Sequence, residues 1–174
     1  MAKLACVLLM ALLGLLGHTA ARAAVITASF EQLIGSTWTV EFEVTNDGEP
    51  LELTGFTVYF PQALFSNLSV AATPVAWDTI VIQPDLALAS PGFFDSLLLD
   101  SMAPLLLGQT QAGFRAEFIF LGVGVPPMLP FEIVDQQFNV LFAGVTTLIP
   151  EVSTWLMLVV GLGILAFQRR FHLA

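Results

Sequence analysis

The sequence predicts an all-β protein: an antiparallel β-sandwich of six to eight strands over residues 24–149, flanked by an N-terminal signal peptide and a C-terminal transmembrane helix. Three observations lead there. Apolar and polar residues alternate in several runs of the central region, the period of a half-buried strand. Turn residues recur there at intervals of roughly ten positions, as they do in sandwiches. The most apolar stretches, by contrast, lie at the two ends, over residues 4–16 and 155–167, and carry no charge.

Residues 1–23 come first. Lys3 supplies a positive start, Leu4 to Leu16 an apolar run, and Ala21-Arg22-Ala23 an A-x-A cleavage pattern. That order describes a secretory signal peptide, cut by signal peptidase so that the mature chain starts at Ala24. The competing reading is a retained anchor, but a spanning helix needs roughly 20 apolar residues and this run is shorter.

The central region then reads as strands. Trp38, Val40, Phe42 and Val44 alternate with Thr37, Thr39, Glu41, Glu43 and Thr45. Asn46-Asp47-Gly48 is a turn. Leu51 and Leu53 lead to Phe56, Val58 and Phe60 with a phase shift at Gly55, a bulge or a second strand start. Pro61 closes that run. Asp78 to Gln83 is a short strand stopped by Pro84. Phe93 to Leu107 has no clean period and is expected to be a short helix or a loop. Phe114, Ala116, Phe118 and Phe120 alternate with Arg115, Glu117 and Ile119. Phe131 and Ile133 come next, and Phe138, Val140 and Phe142 make the last strand, ended by Gly144. About 126 residues bury a sufficient core without disulfides.

Charge and residue types exclude much chemistry. Thirteen of the 14 acids but one base, Arg115, fall in residues 24–150, a net charge near −12. With no basic patch to displace counterions, nucleic acid is excluded as a partner. Cys6 is the one cysteine, and the two histidines are His18 and His172. The exported region therefore lacks thiol and histidine nucleophilic machinery and histidine zinc sites. No cofactor is expected, because Gly122-Val123-Gly124 reads as a turn between strands and not as a nucleotide loop.

Carboxylates are the remaining resource. Asp78, Asp85, Asp95 and Asp100 sit in loop-like sequence. They read first as solvated acids, with calcium binding or a glycosidase-like pair as the alternatives. Trp77, beside Asp78, is the candidate for stacking on a sugar, whereas Trp38 belongs to the core. Asn67-Leu68-Ser69 matches a glycosylation sequon.

The C-terminal element begins at Pro150. Pro150 keeps Ile149 extended, and Ser153 or Thr154 caps the helix beyond it. Trp155 to Phe167 is apolar throughout, and Arg169-Arg170 forms a basic stop on the cytoplasmic side. From Val152 to Phe167 a helix would be about 24 Å long, less than the ~30 Å hydrocarbon core, so the anchor is marginal. A buried helix of the domain is the alternative, and the lack of any polar face speaks against it.

Pro150-Glu151-Val152-Ser153-Thr154-Trp155, the Gly161-Leu162-Gly163 helix and Arg169-Arg170 together resemble a PEP-CTERM sorting signal. Proteins of that family occur in Gram-negative bacteria that make exopolysaccharide. The resemblance implies recognition and cleavage near Pro150-Glu151 by an exosortase-like membrane protease. Val152 stands where the family has its second proline, and the basic cluster is short. A looser resemblance extends into the domain. Val44-Thr45-Asn46, Phe60-Pro61, Trp77-Asp78, Gly113-Phe114 and Gly122-Val123-Gly124-Val125-Pro126 are similar to stretches in small secreted proteins with this signal. It implies architecture and not activity.

The expected protein is therefore a non-enzymatic, exported surface or matrix protein. Its role is structural or adhesive, with exopolysaccharide or biofilm as the expected association. Two alternatives stay open: a carbohydrate-active enzyme with paired carboxylates, and an uncleaved single-pass membrane protein.

Overall fold

A computed structural model describes residues 24–48, 50–100 and 103–148. The leader with Ala21 and Ala23, and the sorting signal from Pro150 to Arg170, lie outside the described residues. Ala24, the expected mature start, is described and buried.

The regular structure of the described residues is all strand, twelve in number. They are β1 Val25–Ile34, β2 Thr37–Thr45, β3 Glu52–Leu53, β4 Gly55–Phe60, β5 Phe65–Ala72 and β6 Trp77–Ile82, then β7 Gly92–Leu98, β8 Leu105–Leu106, β9 Thr110–Phe120, β10 Pro130–Val134, β11 Val140–Val145 and β12 Thr147–Leu148. The expected count of six to eight is thus too low. Three of the extra strands, β3, β8 and β12, are two residues long, below the length at which a period shows. Strands β1 and β5 are longer runs that the alternation described above does not include. β1 carries a legible pattern: Ile26, Ala28 and Phe30 point inward.

Two five-stranded sheets face each other, ordered β12-β1-β2-β9-β5 and β11-β10-β4-β7-β6, and β3-β8 forms a small third sheet. Every pairing among these strands is antiparallel except β1 with β12, which is parallel. The chain switches sheets after β11: Leu129 N donates to Thr146 Oγ1 at 2.9 Å, and Thr146 N donates to the Leu129 carbonyl at 2.8 Å. On the far side, the Gln83 side chain stitches the sheets together, accepting from Leu68 N at 2.8 Å and donating to its carbonyl at 2.5 Å.

The inward residues of both sheets interdigitate in an aromatic core, as alternation along each strand demands. Phe56 meets Phe114 edge-on at 4.9 Å between ring centroids, and Phe65 meets Phe118 at 5.1 Å. Such edge-to-face contacts add about 0.5–1.5 kcal/mol beyond area burial. The phase shift at Gly55 is a second strand start. A side chain there would strike Leu97 on the neighbouring β7.

Two expectations fail locally. The stretch from Phe93 is strand β7, not helix or loop. It lies between β4 and β6, with Phe94, Ser96 and Leu98 buried toward the core and Asp95 buried on the opposite face. A strand covered on both faces has no polar side to betray its period. Phe138 is not in the last strand either. It stands in the β10–β11 turn with φ of 62°, and β11 starts at Val140.

Candidate functional site

The outward residues of the second sheet build a groove of about 390 Å³. Register decides which side chains meet. Thr57 on β4 is paired with Asp95 on β7 and with Glu132 on β10, and Asp95 is paired in turn with Ile80 on β6. Tyr59 pairs with Phe93, and Phe93 with Ile82. The floor is therefore polar in one row and aromatic in the next. Val134 and Val140, also paired, close one side.

The rim at Phe138 is held by an aspartate. Asp135 Oδ1 accepts from Gln137 N and Asn139 N, both at 2.8 Å, and Oδ2 accepts from Asn139 Nδ2. Those donors, Asn139 foremost, keep the Asp135 carboxyl below its usual range. The tight turn forces Phe138 into the left-handed region, which costs a non-glycine residue of order 1 kcal/mol. Phe138 is 57% exposed and lines the groove.

Two carboxylates share the floor. Asp95 is 5% exposed, and burial raises its pKa while the Thr57 hydroxyl, donating at 2.5 Å, opposes that rise. Glu132 accepts a 2.6 Å hydrogen bond from the Tyr59 hydroxyl. Burial, then that hydrogen bond, then the nearby carboxylates push Tyr59 up to about 12, so it remains a donor at neutral pH. Asp95 and Glu132 flank Thr57 on successive strands, which sets their backbones about 9.5 Å apart. The arrangement offers stacking surface, two acceptors and a hydroxyl to one ligand.

The sequence-derived candidates scatter by comparison. Asp95 is in the groove. Asp78 belongs to β6 at the edge of the sheet. Asp85 lies in the β6–β7 loop, where Oδ1 accepts from Ala87 N at 2.8 Å and Leu88 N at 3.0 Å. Asp100 lies just past the end of β7. No group of three metal-ligating residues gathers among the described residues. Trp77 is corrected: it is buried, packing on Phe114 at 5.2 Å and Phe56 at 6.0 Å, and offers no face to a sugar. Trp38 is in the core. Tyr59, Phe93 and Glu132 escape a reading of the sequence. Their signal is present as the outward positions between Val58 and Phe60, before Phe94, and between Phe131 and Ile133, but only the register joins them.

No protein-family model matches the chain, and no curated protein matches it. Among solved structures it is similar to an uncharacterized protein from Nocardia farcinica with an immunoglobulin-like fold. Identity is 17%, covering 74% of this chain and 87% of that one, at a TM-score of 0.52. The sandwich is immunoglobulin-like. Weaker likenesses include a cohesin module from a Clostridium perfringens family 33 glycoside hydrolase, at 8% identity over 75% of this chain and 98% of that one, with a TM-score of 0.43. A family 3b carbohydrate-binding module from Clostridium clariflavum stands at 12% identity over 69% and 95%, with a TM-score of 0.43. These two are too distant to bear on function.

Proposed function

We propose that this chain is an exported surface protein, sorted through its PEP-CTERM-like segment, whose sandwich binds exopolysaccharide without cleaving it. The observation that carries the binding reading is the sheet-face groove. Phe93 and Phe138 offer apolar faces to the C–H side of a sugar ring. Glu132, Asp95 and the Tyr59 hydroxyl oxygen, whose one hydrogen goes to Glu132, offer acceptors to its hydroxyls. Such a mix of apolar wall and few convergent polar groups is what a small-ligand site requires. The sorting reading rests on Pro150-Glu151, Ser153-Thr154-Trp155 and Arg169-Arg170. After export the domain would reach the cell envelope or the extracellular matrix.

Binding of the exported protein to exopolysaccharide isolated from producing cells tests the reading. The wild type binds; Phe93→Ala and Phe138→Ala weaken binding about tenfold or more each, the equivalent of ~1.4 kcal/mol. Equal binding by all three would overturn it. Intact mass of the secreted protein, from Ala24 to near Pro150, tests sorting separately.

One observation favours a second reading. Asp95 and Glu132 open into one groove, and paired carboxylates are what a glycosidase needs. An enzyme would release reducing ends from the same polysaccharide and lose that activity in Glu132→Gln. A binding protein releases none.

A further inference from the structure

The two ends of the sandwich differ in chemistry. One end carries the β1–β2 hairpin and the loops 61–64, 83–91 and 121–129. The three loops and the hairpin's turn residues 33–36 contain a single charged residue, Asp85, while Glu31 stands exposed on β1 near the hairpin tip. These segments expose large apolar side chains instead. Val123 is 100% exposed, Ile34 79%, Leu88 77% and Leu86 75%, with Leu121 and Val125 beside them in sequence. The topology brings these loops together: Phe120 N donates to the Ser36 carbonyl at 2.9 Å, and Leu121 N donates to the Leu64 carbonyl at 2.8 Å. The leucine loop is also braced, because the Asp85 carboxylate is turned onto its own backbone at Ala87 and Leu88. The one acid of these loops thus serves to present two leucines. The opposite end also exposes apolar side chains, Val75, Leu51 and Leu99 among them, but there they stand among acids: Asp47, Glu52, Asp78, Asp100 and Asp135 lie near the strand ends.

The chain leaves the fold toward the apolar end. β12 runs parallel to β1, with Leu148 level with Ala28. β1 continues from there to Ile34, about 20 Å at ~3.3 Å per residue. The uncharged run starts at Trp155, seven residues past Leu148, a reach of at most about 24 Å. The tether is long enough to pass the hairpin and has little to spare.

We propose that the apolar end of the sandwich seats on the lipid bilayer that holds the C-terminal segment, with its loop side chains immersed at the interface. This rests on the sorting reading above and applies to the chain before cleavage near Pro150, while the C-terminal segment is still in the membrane. Contact is through apolar burial at the interface and not through charge: anionic lipid repels a domain this acidic. The acidic end and the entrance of β1 then face water. The groove opens sideways, parallel to the membrane, where a polymer lying along the surface can enter it.

The test uses the leaderless chain from Ala24 to Ala174, which holds no native cysteine, reconstituted in phosphatidylcholine vesicles. Single cysteines at Leu86→Cys, Val123→Cys and, at the opposite end, Val75→Cys carry an environment-sensitive fluorophore. Lipid-borne quenchers placed near the headgroups should quench the labels at 86 and 123 several-fold more than the label at 75. Adding anionic phosphatidylglycerol should not strengthen the effect, and Leu88→Asp should reduce quenching at 123. Vesicle-bound chain with equal, weak quenching at all three sites overturns the seating and leaves the anchor standing. Chain recovered free of vesicles overturns both. Labels at 86 or 123 that are shielded from lipid, with the same cysteines left unlabelled forming disulfides between two copies under oxidant, assign this end to a second copy of the chain and overturn the lipid contact.

Discussion

Replacing Asn46 by Asp should unfold this sandwich at neutral pH far more readily than the small size of the change suggests. Asn46 is fully buried at the end of β2. Its Nδ2 donates to the carbonyls of Leu105 at 2.8 Å and Leu51 at 3.2 Å. Its backbone bonds Gln109 and Gly108. One amide therefore joins β2, the approach to β3, and β8 with its turn toward β9. Asn46→Ala leaves two carbonyls without that donor, at about 1–2 kcal/mol each, so ~2–4 kcal/mol in all. Asn46→Asp does worse at pH 7, because it sets a buried carboxylate against two carbonyl oxygens; about 4 kcal/mol or more is expected. The sign with pH comes from the same contacts. Burial and those carbonyls raise the folded-state pKa of the new acid above its unfolded value of about 3.9. Below that value the acid is protonated in both states and keeps one donor. As pH rises, the native state alone is forced to hold the proton, and stability falls. Urea unfolding of wild type, Asn46→Ala and Asn46→Asp at pH 4 and 7, monitored by Trp fluorescence, measures this. An Asp variant within about 1 kcal/mol of wild type at pH 7, or one no worse there than Ala, would refute the reasoning.

The packing and the groove set two further outcomes. Phe118→Ala, which empties a site touching Phe30, Phe60 and Phe65, should cost about 3–5 kcal/mol; equilibrium unfolding beside the exposed Phe138→Ala, expected within about 1 kcal/mol of wild type, checks it, and equal losses would contradict the core assignment. Asp95→Asn keeps an acceptor for the Thr57 hydroxyl and removes an acid whose pKa burial raises above 3.8. Wild type and variant should differ little below that pH. The variant should gain on wild type as pH climbs through the raised pKa, since the wild-type native state retains a proton that the unfolded chain gives up. Stability curves that stay parallel from about pH 3 to 8 would contradict it.

Much of the core is legible in the order of residues. Trp38-Val40-Phe42-Val44 and Phe114-Ala116-Phe118-Phe120 point inward as their period requires, because a pleated strand sends alternate side chains to opposite faces. The pattern fails at β7, where Asp95 is buried on one face while Phe94 and Ser96 are buried on the other. It fails also at Trp77, whose proline and aspartate neighbours suggest a surface while the register of β6 with β7 turns the ring inward. Loop-like sequence is where an acid is expected to be available for chemistry. The pair that shares a groove lies instead on two strands, Asp95 and Glu132, on either side of Thr57.

Composition and order alone determine that the domain is acidic, without thiol or histidine chemistry between residues 24 and 150, and built of strands. They also carry the export and sorting expectation, since leader and anchor signals are local runs of residues read without folding. Only the tertiary structure decides adjacency. Period-2 alternation says which face a residue takes, but not which strand lies beside it. Pairing β4 with both β7 and β10 makes a groove out of Thr57, Asp95 and Glu132, and the parallel seating of β12 on β1 aims the chain at the sandwich's apolar end. Both depend on contacts between residues far apart in the chain, whose pairing no local pattern encodes.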